Sequence, residues 1–136
     1  MNIYPTHTCF DDAFELIEKH IVAGNVTKEE LIKDFMIVHA ICLLPNGKAY
    51  AHAWVERHDK YCIFKGIING EATFLEAEKE EYYEHFKVQE TMKFPIQAAV
   101  AQNKLYGTTG PWSEKYKALC GSDKTIYSNE EIKNTG

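Results

Sequence analysis

Apolar residues recur at Phe10, Phe14, Ile17 and Ile21, with Ala13 between them, which is the spacing of one face of an amphipathic helix; Gly24 and Asn25 end it. Thr6 or Thr8 can accept the N-cap bond, and Asp11 and Asp12 fall in the first turn, where carboxylates suit the positive end of the helix dipole. Cys9 therefore stands at or beside the first helical residue. Thr27-Lys28-Glu29-Glu30 has the form of a capping box, followed by the short apolar face of Leu31, Ile32 and Phe35, and predicts a brief second helix. From Met36 the pattern changes to a nearly continuous apolar, β-branched run, interrupted by Pro45-Asn46-Gly47-Lys48 and resumed as Ala49-Tyr50-Ala51-His52-Ala53-Trp54-Val55-Glu56.

Asn-Gly between two such runs signals a hairpin. With Asn46 and Gly47 as the two turn residues, Leu43 faces Tyr50, Ile41 faces His52 and His39 faces Trp54. One face then carries His39, Ile41, Leu43, Tyr50, His52 and Trp54. The other carries Val38, Ala40, Cys42, Ala51, Ala53 and Val55, small enough to receive the first helix closely. Arg57-His58-Asp59-Lys60 reads as a turn into a third strand, Tyr61 to Gly70, and an antiparallel meander is the shortest route between them. Beyond Gly70, Phe74-Leu75 leads into a helix over Glu76 to Phe86, Pro95 opens another that Gly107 stops, and a last turn or two follow Ser113. The fold class this predicts is α+β: an N-terminal helix packed on one antiparallel sheet, with additional C-terminal helices.

The length of 136 residues, 45% of them apolar, suits one domain, expected over 1–120, with 121–136 a polar, flexible tail. A formal net charge of −5 offers no basic field for a phosphate backbone, so nucleic acid is not an expected partner. No apolar run approaches the roughly 18–20 residues that cross a bilayer, and the N-terminus lacks the pattern of a secretory leader, which predicts a cytoplasmic protein without a membrane partner. Cys9, Cys42, Cys62 and Cys120 form no CxxC pair; reduced thiols are expected, with Cys42 and Cys62 in the core. The loop from Gly107 to Trp112 lacks the lysine of a phosphate-binding loop, Trp112 is expected to fold back over the apolar sheet face, and neither a cofactor nor a metal is implied. His39 and His52 on one face would allow a zinc site, but with no local ligand pair a core role suits His39 better.

A thiol at a helix start gains from the dipole and the free N–H groups there, and a histidine across a cleft can accept its proton. Cys9 and His52 are the residues so placed. One matter of parity stands against them, because His52 shares its pleat with Trp54 while the alanine face is the one suited to the helix. Asp11 and Asp12 also disfavour a thiolate. His7 could line the same cleft.

A cysteine opening a helix, then a strand reading His52-Ala53-Trp54-Val55-Glu56, resembles the transglutaminase-like branch of the papain-like cysteine fold over Thr6 to Phe74. The resemblance implies a papain-like core with Cys9 as nucleophile, His52 as general base, and an aspartate or asparagine on the next strand to orient it. Expected strand pairing puts Lys65 opposite His52, where that family would have a carboxylate or amide. Asn69 is the chosen third residue, through a bulge, with Glu71 and Asp59 as more distant options. The implied function is a thiol-dependent hydrolase or acyl-transferase acting on an amide or ester bond of a protein or small molecule. A non-catalytic binding or assembly protein on the same fold, phage-associated on grounds of size, is the alternative.

Overall fold

The computed structural model describes residues 9–21, 23–24 and 26–126. The cap expected at Thr6 or Thr8, His7, the stop at Asn25 and the tail beyond 126 lie outside them. The fold is mixed α+β, built on a five-stranded antiparallel sheet in the order β4-β3-β2-β1-β5.

Helix α1 (Cys9–Glu15) passes directly into a π-helical segment, Leu16–Ile21, and together they bury the predicted stripe of Phe10, Ala13, Phe14, Ile17 and Ile21. In α2 (Lys28–Asp34), Thr27 Oγ1 accepts a bond of 3.1 Å from the Glu30 N–H, satisfying one orphan donor of the first turn. The chain turns extended at Phe35 and enters β1 (Phe35–Leu43), which pairs with β2 (Ala49–Arg57).

The β1–β2 register differs from expectation by one residue: Cys42 faces Tyr50, Ala40 faces His52 and Val38 faces Trp54. The cause is Pro45, which favours the second position of a turn starting at Leu44. Gly47 N–H bonds to Leu44 O at 2.8 Å, Gly47 sits at φ 84°, and Leu44 N–H returns to Lys48 O at 2.9 Å. That is a three-residue connection with a left-handed glycine, not a two-residue one. A one-residue slip moves half the hairpin to the other face. Val38, Ala40, Cys42, Tyr50, His52 and Trp54 therefore share one face, and Ile37, His39, Ile41, Ala51, Ala53 and Val55 share the other.

The β2–β3 turn holds His58 and Asp59 at positive φ, and β3 (Tyr61–Ile68) pairs with β2 only at Arg57–Tyr61, Glu56–Cys62 and Val55–Ile63. This register is also one residue from expectation. Asn69 and Gly70, at φ 52° and 80°, form a two-residue turn with both residues left-handed, into β4 (Glu71–Glu78). The helix expected over Glu76 to Phe86 is thus strand through Glu78, and α3 (Lys79–His85) begins only there. An unexpected short edge strand, β5 (Glu90–Pro95), follows and pairs with β1. Helix α4 (Ile96–Tyr106) starts after Pro95 and ends at Gly107, φ 72°, as predicted. Helix α5 (Glu114–Ile126) runs past 120, where a flexible tail was expected to begin.

The sheet has two distinct covers. Helix α1 lies on the Ala51, Ala53 and Val55 face, where residues of α4, α5 and Trp112 complete the packing, while α3 covers the face of Tyr50, His52 and Trp54 through Tyr82 and Phe86. Cys42 and Cys62 are fully buried in the second core, as expected of cysteines outside disulfides that act as small hydrophobes. Among the described residues, no helix is long and apolar enough to cross a membrane.

Candidate functional site

Cys9 is the first residue of α1 and is only 5% exposed. Its cluster contains Phe10, Ile41, Ala51, Ala53 and Tyr116, the small-residue face that lets the helix approach closely. Asp12, one turn on, is buried beside the Lys65 ammonium at 3.8 Å, and Lys65 also reaches Glu15 Oε2 at 3.0 Å. The hydrogen bond from Lys65 to Glu15, together with the Asp12 charge, holds the ammonium pKa above its ordinary value. Lys65 points to the α1 face and thus does not stand opposite His52.

His52 is 2% exposed on the other face. Its Nε2 lies 2.6 Å from Tyr82 Oη, its Nδ1 has no hydrogen-bond partner, and its ring packs against Trp54, Tyr82 and Phe86. Burial lowers the imidazole pKa from 6.5 to about 3, so the ring is neutral at physiological pH.

Alternation along β2 puts Cys9 and His52 on opposite sides of the sheet, yet the two residues line one crevice. The β2–β3 ladder stops at Val55–Ile63, and the strands part beyond it. Into that opening look Cys9, Asp12 and Ala13 from α1, His52 and Trp54 from β2, Phe64 and Lys65 from β3, and Phe74 from β4. The space is about 10 Å³, room for roughly one water. Lys65 and Phe74 also border an outer hollow of about 410 Å³, with Glu15, Ala72 and Thr73 as its other walls. The hollow is of the size that small ligands occupy.

Asn69, the expected third residue, is exposed at the tip of the β3–β4 hairpin, where its φ of 52° serves the turn; it does not line the crevice. Glu71 is exposed beside it. Asp59 is exposed and held by Lys79 at 2.8 Å and Lys93 at 3.0 Å, which lower its pKa to about 2. The group that does hold His52 is Tyr82, which the sequence marks as part of an aromatic helix but not as a partner of this ring.

The remainder of the His-Ala-Trp-Val-Glu strand forms a second buried network. Glu56, 2% exposed, accepts from Trp54 Nε1 at 2.9 Å and from the Tyr83 hydroxyl, and pairs with Lys93 Nζ at 2.9 Å. Burial and the Glu56 carboxylate push the Tyr83 phenol pKa up, and the same causes push up the Cys62 thiol. Cys62 is therefore no nucleophile at neutral pH.

His39 lies on the α1 face, enclosed by Phe10, Trp112 and Phe94 with ring centroids at 4.7, 4.8 and 4.9 Å, so a zinc site shared with His52 is not built. Trp112 folds back over this face, with Nε1 donating to Thr108 O at 2.9 Å. No protein-family model, curated protein or solved structure matches this chain.

Proposed function

We propose that the protein is a thiol-dependent hydrolase or acyl-transferase on a papain-like, transglutaminase-like core, with Cys9 as nucleophile and His52 as its proton acceptor. The observation that carries this reading is the crevice both residues line, which shares Lys65 and Phe74 as walls with a hollow large enough for an amide or ester substrate. A protein side chain or a small molecule would rest in the hollow and reach inward with its carbonyl.

The low basicity of His52 defines the mechanism. With an imidazole pKa near 3, the resting pair is a neutral thiol and a neutral ring, not an ion pair. Proton transfer must accompany attack: the Cys9 sulfur bonds to the carbonyl carbon as its proton moves to His52. His52 then returns that proton to the departing amine or alcohol as the carbon–heteroatom bond breaks. The thioester on Cys9 passes its acyl group to water or to a second amine or alcohol, whose proton again passes through His52. In this reading, backbone N–H groups of the first helical turn, beside Cys9, serve as donors to the developing oxyanion.

Turnover of activated esters and amides by the full chain, its Cys9→Ala and its His52→Gln variants tests this. Activity in the wild type that both substitutions abolish supports it, and Cys9→Ala turning over at the wild-type rate overturns it. The second reading, a non-catalytic binding or assembly protein on the same core, draws on the enclosure of His52 between Trp54, Tyr82 and Phe86, which equally serves packing. Absence of turnover in all three proteins, with no thiol adduct on Cys9, favours that reading.

A further inference from the structure

We infer that the outer edge of β4 is a docking strand, which receives an extended, lysine- or arginine-rich segment of a partner polypeptide as a sixth strand of the sheet. The inference goes beyond the thiol reading and does not depend on it.

Strand β4 ends the sheet, with β3 as its one strand neighbour. Its pairing with β3 runs through all eight residues without a bulge, from Ile68–Glu71 to Tyr61–Glu78. Just beyond, Lys79 N–H donates to Lys60 O at 2.8 Å, which fixes the phase of the ladder. Bonded and non-bonded pairs alternate in an antiparallel ladder, so Cys62–Ala77, Phe64–Leu75, Gly66–Thr73 and Ile68–Glu71 are the bonded pairs. The N–H and C=O groups of Ala72, Phe74, Glu76 and Glu78 therefore point away from β3, along the open edge. Such a row is a template for another strand unless proline, a bulge or a covering element blunts it. The other edge, β5, is blunted: it has six residues, ends in Pro95, and meets α5 through Lys115 and Tyr116 at Glu90. Strand β4 has none of these devices. Beside it lies the hollow of about 410 Å³ walled by Glu15, Lys65, Ala72, Thr73 and Phe74, on the side to which alternate side chains of an added strand would point.

Charge selects the occupant. Strand β4 carries Glu71, Glu76 and Glu78 and no basic residue, and Glu80 and Glu81 extend the acidic run into α3. Arg57 is paired with Glu76, Lys65 with Asp12 and Glu15, and Lys79 with Asp59, while Lys60 lies over the Tyr61 ring. Glu71, Glu78, Glu80 and Glu81 are exposed and hold no ion pair among the described residues. A second copy pairing β4 to β4 would set glutamates against glutamates with no base between them, which is unfavourable. A basic extended segment meets the same edge with opposite charge.

The probe is an eight-residue peptide of alternating lysine and threonine, with a glutamate–threonine counterpart, titrated into the full chain at low salt and followed by amide hydrogen exchange. In the free chain, the Thr73, Leu75 and Ala77 amides are expected to exchange slowly and those of Ala72, Phe74 and Glu76 quickly. The lysine peptide is expected to slow the latter three by about tenfold or more and to bind at least about tenfold more tightly than the glutamate peptide. Ala72→Pro removes one outward N–H without touching the ladder, and should weaken binding about tenfold. The fully N-methylated lysine peptide keeps its charge and loses its donors, and should weaken equally, so the test stands even if Ala72→Pro does not fold. Equal binding of both peptides, binding that leaves the three amides unchanged or survives N-methylation, or no binding overturns the inference. Outward amides already slow in the free chain, and faster on dilution, would assign the edge to a second copy and overturn it too.

Discussion

The two faces of strand β2 do different physical work with alternate residues of one nine-residue segment. Ala51, Ala53 and Val55 are small and uniformly apolar, and their service is to let α1 come close. Tyr50, His52, Trp54 and Glu56 are large, mostly polar at the tip, and every one is buried beneath α3. The first face is held chiefly by apolar contact, with Lys65 pairing to Asp12 and Glu15 of α1 at its edge. The second also needs its donors and acceptors matched, since an unpaired buried polar group costs more than a bond contributes. The comparison teaches where chemistry can arise. On the proposed reading, Cys9 of the helix face and His52 of the network face share one crevice, which lies where the β2–β3 ladder ends at Val55.

Substitutions on the two faces should sharpen that contrast. Trp54→Ala removes the largest buried side chain of the network face together with a donor to Glu56, and should cost about 3–5 kcal/mol in urea unfolding. A loss under about 1 kcal/mol would mean that α3 contributes little cover. Gly110→Ala tests the helix face: an added Cβ would stand 2.7 Å from His39 Cε1 at a backbone φ of 120°. A loss of about 1–3 kcal/mol is expected, and thermal unfolding indistinguishable from wild type would contradict the tight packing around His39.

Acid should act on both faces through their buried histidines. Burial holds His39 and His52 near pKa 3 against an ordinary 6.5, so between those values the unfolded chain binds protons that the folded one refuses. Stability is then full above the ordinary value and is lost as pH falls toward 3, by up to about 1.4 kcal/mol per pH unit for each histidine. Unfolding free energies that stay flat from pH 6.5 to 4.5 would contradict that burial. The smallest effect belongs to Lys65→Met, which takes the ammonium from Glu15 and from the buried Asp12 and should cost about 1–2 kcal/mol. Its expected signature is kinetic: faster alkylation of Cys9 once the mouth of the crevice loses its ion pair. An unchanged rate would place the route to Cys9 elsewhere.

Two Asn-Gly pairs show how far the sequence could be read. At Asn46-Gly47 the dipeptide located the hairpin, but Pro45 moved the turn one residue back and reversed the face assignments. At Asn69-Gly70 the same dipeptide makes the two-residue turn itself, and Asn69 was instead assigned to the site. The glutamate-rich stretch after it favours helix locally, while pairing with β3 makes it strand through Glu78. The helix stripe of α1, the cap at Thr27, the bounds of α4 and the burial of Cys42 and Cys62 were legible because each depends on neighbours in the chain. Tyr82 as the partner of His52 was not, because a contact across 30 residues of sequence follows from register and helix docking.

The central claim is that Cys9, despite its burial, is the thiol that attacks. Brief exposure of the full chain to an activated ester, quenching in acid and peptide mass mapping tests it most directly. An acyl group on Cys9 approaching one per chain is expected, with Cys42 and Cys62 untouched and the adduct discharging on longer incubation. An acyl group confined to Cys120, the half-buried cysteine of α5, or no thiol adduct at all, would contradict it.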